Sequence, residues 1–320
     1  MFKKILSGCL KIALLSTLCV SAYADELMDL LQQNNTHQTI SYDDNPDPLL
    51  EMIQNINKSE DTPFIELTYQ KKYTHAPVLN SSAAMIVNAE NGDVLYEKNG
   101  SQQIPIASIT KLMTAMVVLD SKQNMNEILT ITEDDIDYLK NSGSRLTVGT
   151  KMTRRDMLHI GLMSSENRAM HALARNYTGG MYSFLKAMNL KAKSLGMSQT
   201  VFFDPTGLNP DNKSTPQDLV RMVKAAYQYP LIKQFSTSNE GAVLTASGRV
   251  EKYKNSNKLI RDGGWDISLQ KTGYIREAGR CMVFYTNVQN KPLIVVLMNA
   301  PTTTMRVNDA HTMRSWVMQM

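Results

Sequence analysis

Residues 104–120 read IPIASITKLMTAMVVLD, a stretch that combines a helix pattern with two reactive side chains. Apolar residues recur here at the i, i+3, i+4, i+7 and i+8 spacing of an amphipathic helix. They are Ile109, Leu112, Met113, Met116 and Val117. Ser108 and Lys111 lie at the predicted helix start, three residues apart. This step places both side chains on one face, with about 5–6 Å between their Cβ atoms.

A serine at a helix start can act as a nucleophile, because the unpaired N–H groups of the first turn can receive the negative charge of an attacked carbonyl. The positive end of the helix, together with burial, can lower the pKa of Lys111 until its neutral amine accepts the Ser108 proton. The same spacing also occurs at Ser183–Lys186 and Ser268–Lys271. The motif alone therefore leaves open a capping serine beside a solvated lysine.

The flanking sequence predicts an α+β fold, a sheet with helices packed on it. Apolar segments on both sides of Asn91-Gly92 predict a hairpin. Helical patterns follow at residues 157–162, 169–174 and 181–195, and Thr215-Pro216 begins another. After about residue 240 the pattern changes to strands, including the apolar run Leu293–Met298. A closing helix is predicted from the spacing of Met313, Trp316, Val317 and Met320.

Two further motifs follow Ser108–Lys111 in the chain. Ser165-Glu166-Asn167 lies between two predicted helices, 57 residues after Ser108. Lys271-Thr272-Gly273 lies in a predicted strand, 106 residues after Ser165. Taken singly, the first could be a helix N-cap and the second an ordinary lysine before a turn. The order of the three motifs carries more information than any one of them.

In this order the motifs resemble those of the active-site serine penicillin-recognising enzymes. Other stretches resemble the low-molecular-mass D,D-peptidase branch, and the region around Lys271–Cys281 is most similar to its D-alanyl-D-alanine endopeptidases. These stretches are Ser144–Leu146 with Val148-Gly149, Leu162–Ala169, Phe203–Leu208 and Asn255–Asn257. The resemblance covers about residues 80–318. It implies a β-lactamase/transpeptidase-like fold, with an antiparallel sheet and helices packed on it.

The resemblance also implies a role for each motif residue in an acyl-transfer site. Ser108 would be the nucleophile that forms an acyl-enzyme with a D-alanyl carbonyl, and Lys111 would be the general base. Ser165 would relay a proton to the leaving amine. Asn167 would hold the substrate amide and the Lys111 side chain.

On the sheet side, Lys271 would supply positive charge for Ser165 and for a substrate or drug carboxylate. Thr272 would hydrogen-bond that carboxylate, and Gly273 and Tyr274 complete the implied substrate-binding residues. The backbone N–H groups of Ser108 and Tyr274 would form the oxyanion hole. The implied partners are peptidoglycan peptide cross-links and, as covalent inhibitors, β-lactam antibiotics.

Three alternatives to an endopeptidase stay open. A class A β-lactamase shares the motifs, but the sequence lacks the Glu-x-x-Leu-Asn string that carries its deacylating glutamate. A D,D-carboxypeptidase shares the whole site. Only 47 residues follow Gly273, which favours the endopeptidase over a chain with a second β-rich domain. A penicillin-binding scaffold or sensor would acylate without turnover.

Residues 1–24 have the form of a secretory signal peptide, with Lys3 and Lys4 before an apolar segment and a small-x-small site at Ala22–Ala24. We therefore predict a periplasmic protein that begins at Asp25. Residues 25–80 carry ten acidic and three basic residues. They predict an acidic, weakly ordered arm over residues 25–75, followed by a D,D-peptidase domain over residues 76–320.

The remaining composition argues against several other functions. Beyond the signal peptide, 31 basic and 30 acidic residues nearly balance, which does not support nucleic-acid binding. Cys281 is the single cysteine of that region, and no His or Asp spacing suggests a metal. We therefore expect no disulfide, metal or cofactor. A net charge of +8 over residues 81–320 leaves open a peripheral association with the cell wall or with other wall enzymes.

Overall fold

The computed structural model describes residues 67–69 and 76–320. The predicted signal peptide and most of the predicted arm lie outside these residues. The strands of the described part are β1 (Thr68–Tyr69), β2 (Ala83–Asn88), β3 (Asp93–Lys98), β4 (Ile104–Pro105), β5 (Ile128–Thr130), β6 (Lys151–Thr153), β7 (Lys213–Ser214), β8 (Glu240–Leu244), β9 (Val250–Lys254), β10 (Ile267–Ile275), β11 (Gly279–Val288) and β12 (Lys291–Ala300). Its helices are α1 (Lys111–Asp120), α2 (Arg154–Met163), α3 (Asn167–Arg175), α4 (Gly180–Ser194), α5 (Pro216–Ala226), α6 (Pro230–Thr237), α7 (Lys258–Asp262) and α8 (Thr303–Val317).

Six strands form the central sheet, in the order β1-β3-β2-β12-β11-β10. All neighbours from β3 to β10 run antiparallel, which confirms the predicted sheet. The predicted hairpin joins β2 to β3, and Gly92 has a φ of 81°, a conformation that glycine adopts without strain. The two-residue strand β1 pairs in parallel with β3, with Thr68 opposite Asp93. It lies within the range predicted as the arm.

The sheet is buried on both faces, because helices cover each side. Along β2, Ala83, Met85 and Val87 belong to the core that the sheet shares with α1 to α6. The alternate residues Ala84 and Ile86 pack on the opposite face, where α8 covers the sheet. This period of two is typical of a strand that is buried on both sides. Full burial of one such Val, Ile or Met side chain contributes about 1.5–3 kcal/mol.

Helix α1 differs from its prediction in two respects. It begins at Lys111, and Ser108 lies in a preceding 3-10 turn, Ala107–Thr110. Residues 111–118 are all buried, so the helix is enclosed on every side instead of amphipathic. Lys111 therefore lies in the interior of the domain, whereas Ser108, in the turn before it, is half-buried.

Most other predicted elements are confirmed, with ends shifted by a few residues. Helix α5 begins at Pro216 as predicted, whereas Met320 lies beyond the end of the closing helix. The sequence did not predict α6 or α7, and it predicted strands after about residue 240 without locating the β8–β9 hairpin. Cys281 is completely buried in β11, as expected of a small apolar residue. Among the described residues, no helix is both long and apolar enough to cross a membrane.

Candidate active site

Ser108 lies in a turn against which two other segments pack closely, each through a glycine. Ala107 has a φ of 48°, in the left-handed region that favours glycine. Gly207 packs directly against this turn, since a Cβ atom at Gly207 would lie 1.9 Å from the Ala107 carbonyl oxygen. From the sheet side, a Cβ atom at Gly273 would lie 3.0 Å from the Ser108 nitrogen. The glycines therefore let two separate segments approach the backbone of the serine, and this packing maintains the strained turn.

Lys111 is completely buried directly after this turn. Its Nζ donates to three oxygens, each at 2.7 Å: Ser108 Oγ, Asn167 Oδ1 and the Thr206 carbonyl oxygen. Burial lowers the pKa of Lys111 to about 7, while the carboxylates of Asp204 and Glu166 act in the opposite direction. A substantial fraction of the amine is therefore neutral near neutral pH, which is the state that a general base needs.

The Thr206 carbonyl reaches Lys111 because the loop of residues 203–212 folds around Asp204. The Asp204 carboxylate accepts hydrogen bonds from three backbone N–H groups of this loop, at 2.7, 3.1 and 3.4 Å. The Asn212 side chain also donates to it at 2.7 Å. The family resemblance included Phe203–Leu208 but gave Thr206 no role. A backbone carbonyl carries no side-chain signal, so only the fold could place it in the site.

The second motif lies between α2 and α3. Ser165 has a φ of 67°, and Asn167 is the first residue of α3. The Asn167 amide bonds on both sides, because its Oδ1 accepts from Lys111 and its Nδ2 donates to Ser142 Oγ at 3.0 Å. Glu166 is buried and caps α3 by accepting from a backbone N–H group of its first turn. The motif therefore also supplies a helix N-cap, through Glu166.

The third motif lies on β10, at the edge of the sheet next to the serine turn. Lys271 is completely buried, and its Nζ donates to the Thr272 carbonyl at 2.8 Å. Burial, followed by the positive charges of Lys111 and Arg306, lowers the pKa of Lys271 well below its usual value. The surroundings of Lys271 in the free site therefore disfavour its protonated form.

The other two substrate-binding residues of this motif have different surroundings. Thr272 Oγ1 donates to Ser256 Oγ at 2.7 Å. Ser256 belongs to the stretch Asn255–Asn257, to which sequence reasoning gave no role. Tyr274 is 52% exposed, and the Arg280 guanidinium lies 3.4 Å from the centre of its ring.

The structure brings most of the predicted residues together, though not all in direct contact. Ser108 and Asn167 both bond to Lys111, and Gly273 contacts the backbone of the serine turn. Ser165 and Lys271, which the family resemblance links, share no hydrogen bond in the described part of the chain.

Two histidines, His159 and His171, contact other side chains. His159 packs on Phe235 with 4.9 Å between ring centres, and His171 hydrogen-bonds Asp135 at 2.8 Å. Within residues 67–69 and 76–320, no group of three or more His, Cys, Asp or Glu side chains could hold a metal ion.

Comparison with known proteins places these features in context. The family model of Peptidase S11, described as D-alanyl-D-alanine carboxypeptidase, matches residues 70–302. The D-alanyl-D-alanine endopeptidase of Pseudomonas aeruginosa is 44% identical over 240 residues, which are 75% of this chain and 77% of that protein. The D-alanyl-D-alanine endopeptidase of Escherichia coli K12 is 43% identical over 242 residues, 75% of this chain and 78% of that protein.

A solved structure has a similar fold. The crystal structure of the Streptomyces K15 DD-transpeptidase aligns with a TM-score of 0.71 at 27% sequence identity. The alignment covers 77% of this chain and all of the other chain.

Proposed function

The chain belongs to the Peptidase S11 family, and on this basis we propose that it is a serine D,D-endopeptidase of peptidoglycan. It cleaves the D-alanyl–diaminopimelate cross-links between peptide stems through an acyl-enzyme on Ser108. The relatives at 43 and 44% identity, both named endopeptidases, support this choice of substrate. β-Lactam antibiotics form a covalent adduct with the same serine.

The contact of Lys111 with three oxygens carries the proposal. Two of them, Asn167 Oδ1 and the Thr206 carbonyl oxygen, can only accept hydrogen bonds. The protonated amine donates to all three oxygens. Once it is neutral, these two acceptors engage its two N–H bonds, so the lone pair takes the place of the third N–H and faces Ser108 Oγ, 2.7 Å away. A neutral Lys111 therefore faces the serine proton as a base.

In the acylation step, Ser108 Oγ attacks the D-alanyl carbonyl carbon while its proton moves to Lys111 Nζ. A carbon–oxygen bond forms, and the carbonyl electron pair moves onto the carbonyl oxygen. The backbone N–H groups of Ser108 and Tyr274 stabilise this negative charge. The carbon–nitrogen bond then breaks, and the leaving amine receives the proton from Lys111 through Ser165.

In deacylation, water takes the place of Ser108 as the attacking group, and Ser108 becomes the leaving group. Water attacks the ester carbonyl and gives a proton to Lys111. The bond between the acyl carbon and Ser108 Oγ then breaks, and the serine oxygen takes the proton from Lys111. The shortened peptide leaves with a free carboxyl group, and Ser108 is restored.

On the sheet side, Thr272 and Lys271 bind the carboxylate of the residue that leaves. The Thr272 hydroxyl bonds Ser256 in the free protein and can turn towards the incoming carboxylate. An arriving negative charge favours the protonated form of Lys271, which offsets the burial that lowers its pKa. The substrate carboxylate thereby favours a positive charge on Lys271.

Two substrates distinguish the endopeptidase from the carboxypeptidase, because the same residues serve both reactions and only the leaving group differs. We expect one enzyme preparation to convert dimeric muropeptides into monomers faster than it releases D-alanine from a monomeric pentapeptide. Release of D-alanine while dimers survive would establish the carboxypeptidase. Covalent labelling by penicillin with no product from either substrate would establish a scaffold.

Mass spectrometry with penicillin tests the nucleophile. The intact mass should rise by one drug molecule, and the label should map to the peptide that contains Ser108. Ser108→Ala should lose the label. Ser183→Ala, which changes a serine with the same Ser-x-x-Lys spacing on α4, should keep it. A label on Ser165 or Ser183 in the wild type would refute the assignment.

We further propose that the protein works in the periplasm after cleavage behind Ala24. Residues 25–75 form an arm that the chemistry does not require, and residues 76–320 form the peptidase domain. The excess positive charge of residues 81–320 supports a peripheral association with the anionic wall or with other wall enzymes. Fractionation of cells, with release of the protein at raised salt, tests the location and the charge contact together.

A further inference from the structure

Residues 137–142 form a loop that joins the two sides of the active site. At its end, Ser142 Oγ accepts a hydrogen bond from the Asn167 amide on the helical side, at 3.0 Å. Two residues earlier, Lys140 Nζ donates to Glu277 Oε1 at 2.6 Å, and Glu277 lies in the turn between β10 and β11 on the sheet side. We call residues 137–142 the strap.

The strap is folded around one carboxylate. Asp137 accepts from the backbone N–H groups of Leu139 and Lys140, at 2.9 and 3.0 Å. It also accepts from the backbone N–H group of Ser142, at 2.8 Å. Three backbone bonds to one side chain hold the strap as a compact turn. The backbone of Lys140 is therefore fixed relative to the contact of Ser142 with Asn167.

The same two sides also meet at the serine. Lys111 bonds both Asn167 and Ser108. Gly273, on β10, packs against the Ser108 backbone. The strap and these contacts are two separate connections between the helical side and the sheet side. They bound the part of the site that runs along β10 from Gly273 to Glu277.

The proposed function assigns this part of the site to the acyl stem, the peptide that stays on Ser108. Thr272 and Lys271 bind the carboxylate of the residue that leaves, so the other direction along β10 belongs to the acyl stem. From Tyr274, whose N–H group stabilises the acyl carbonyl, Glu277 is three residues farther, or about 10 Å at the rise of a strand. The stem residue next to the D-alanine also spans about 10 Å, through one Cα step and a side chain of four carbons.

The acyl stem presents a characteristic group at this distance. In a wall of identical stems, it carries its own diaminopimelate next to the D-alanine. The diaminopimelate of the leaving stem is joined through its side-chain amine, whereas that of the acyl stem has a free side-chain end. This end bears an ammonium and a carboxylate on one carbon. A cation and an anion placed side by side complement such a zwitterion.

Lys140 and Glu277 are such a cation and anion. Their side chains are 27% and 39% exposed, so a ligand can reach both. The hydrogen bond from Lys140 lowers the pKa of Glu277 below its usual value, which keeps the carboxylate charged at neutral pH. An ion pair this exposed adds little to the stability of a fold, so the pair can open at low cost to take up a ligand.

We propose that Lys140 and Glu277 form a subsite for the free side-chain end of the diaminopimelate in the acyl stem. Lys140 binds its carboxylate and Glu277 its ammonium, so that four charges alternate in sign. The inference rests on the proposed function, which gives the direction of the substrate along β10. It does not depend on the leaving group, because cross-linked dimers and pentapeptides share the acyl stem.

Two synthetic dimers with the same leaving stem test the subsite on the full chain. One has diaminopimelate in its acyl stem, and the other has lysine, which keeps the ammonium but lacks the carboxylate. The wild type should cleave the diaminopimelate dimer with a kcat/KM about five- to tenfold higher, the contribution of one charge-assisted contact at a partly exposed site.

Each of two variants should change a different part of this comparison. Lys140→Met removes the group that binds the carboxylate, so kcat/KM for the diaminopimelate dimer should fall to that of the lysine dimer, which should itself not fall. Glu277→Gln removes the group that binds the ammonium, which both dimers carry. It should lower kcat/KM for both dimers by about two- to fivefold and keep their ratio.

Acylation by benzylpenicillin separates recognition from a purely structural role of the strap. The acyl side chain of this drug has no ammonium or carboxylate, so both variants should label Ser108 at the wild-type rate. If the ion pair only held Ser142 against Asn167, its loss would slow the reaction with the drug and with both dimers alike. That result would refute the subsite.

A matched control changes another exposed lysine that pairs with an acid. Lys258 lies 3.7 Å from Asp262 on α7, away from the strap. Lys258→Met should leave kcat/KM for both dimers and the rate of labelling by benzylpenicillin unchanged.

The outcomes separate the subsite from the function on which it rests. Equal kcat/KM for the two dimers in the wild type, or a preference for diaminopimelate that persists in Lys140→Met, would overturn the subsite and leave the endopeptidase intact. Release of D-alanine from pentapeptides while both dimers survive would overturn the endopeptidase. Pentapeptides with these two acyl stems should then differ in kcat/KM by the same factor.

Discussion

Lys111 and Lys271 are both completely buried in one site, yet their surroundings differ in charge. Lys111, on the helical side, lies near the carboxylates of Asp204 and Glu166, which partly offset its burial and leave its pKa at about 7. Lys271, on the sheet side, faces the positive charges of Lys111 and Arg306. These charges add to the effect of burial and lower its pKa further.

The difference shows which side of the site is complete before a ligand binds. Lys111 has two fixed acceptors and a serine within 2.7 Å, so it is poised to remove a proton. Lys271 donates to a backbone carbonyl and has no carboxylate among the groups that shift its pKa. A buried amine in such a place becomes charged when an anion joins it. Under the proposed function, the helical side therefore holds the base before a ligand binds, and the substrate carboxylate would complete the sheet side.

Replacing each lysine with arginine tests whether the two have separate roles, and we expect the largest effect on the rate of acylation here. Arginine keeps a positive charge but does not release a proton at working pH. Lys111→Arg should therefore lower the rate of acylation by penicillin by about 10³-fold or more, within the range of a general base. Lys271→Arg keeps a cation for the ligand carboxylate and should lose about tenfold. Circular dichroism confirms folding, and equal losses would contradict the separate roles.

Local signals in the sequence predicted much of the fold. Asn91-Gly92 specified a hairpin and Thr215-Pro216 a helix start, because turn and cap chemistry act over a few residues. The β8–β9 hairpin escaped prediction because exposed and half-buried residues dominate both strands, which leaves little apolar alternation. Strand β1 has two residues, and its pairing depends on the edge that β3 offers.

The sequence predicted those parts of the site that are formed by side chains of the three ordered motifs. The contact of Lys111 with Asn167, which the family resemblance implied, is present although 56 residues separate the two. The Thr206 carbonyl and Ser142 were not predicted. Thr206 contributes only its backbone, and Ser142 is one serine among many until the fold brings it to Asn167.

Gly207 and Gly273 allow a second comparison, between the two segments that pack against the serine turn. An alanine at Gly207 would place its Cβ atom 1.9 Å from a backbone oxygen, at a φ of 84° that disfavours any side chain. An alanine at Gly273 would meet its nearest neighbours at 3.0 Å. We expect Gly207→Ala to cost about 3 kcal/mol or more of unfolding free energy and Gly273→Ala about 1 kcal/mol.

Thermal or urea unfolding of both variants, with the penicillin label as a second measurement, checks this order. Gly263→Ala is a suitable control for backbone strain, because Gly263 has a φ of 74° but no atom within 4 Å of the added Cβ. A smaller loss of unfolding free energy for Gly207→Ala than for Gly263→Ala would show that the serine turn can shift away from the added methyl group at little cost. The serine would then not depend on the loop of residues 203–212.

The smallest expected effect concerns the carboxylate next to Lys111. Acylation needs neutral Lys111, so its rate should rise as the pH passes through about 7. The Glu166 carboxylate raises the pKa of Lys111, because a negative charge favours the protonated amine. Glu166→Gln keeps an acceptor for Ser144 but removes the charge, so the pKa of Lys111 falls and the acid limb moves to lower pH.

At about pH 6 the Glu166→Gln variant should therefore acylate about two- to threefold faster than the wild type, and above about pH 8 the two rates should converge. Glu133→Gln, a change at an exposed acid, should leave the profile unmoved. Penicillin and its methyl ester should show the same shift, because Glu166 acts on Lys111 and the ester removes only the carboxylate that Lys271 binds. A shift confined to the free acid would instead place the effect of Glu166 on Lys271 and on its contact with the ligand carboxylate.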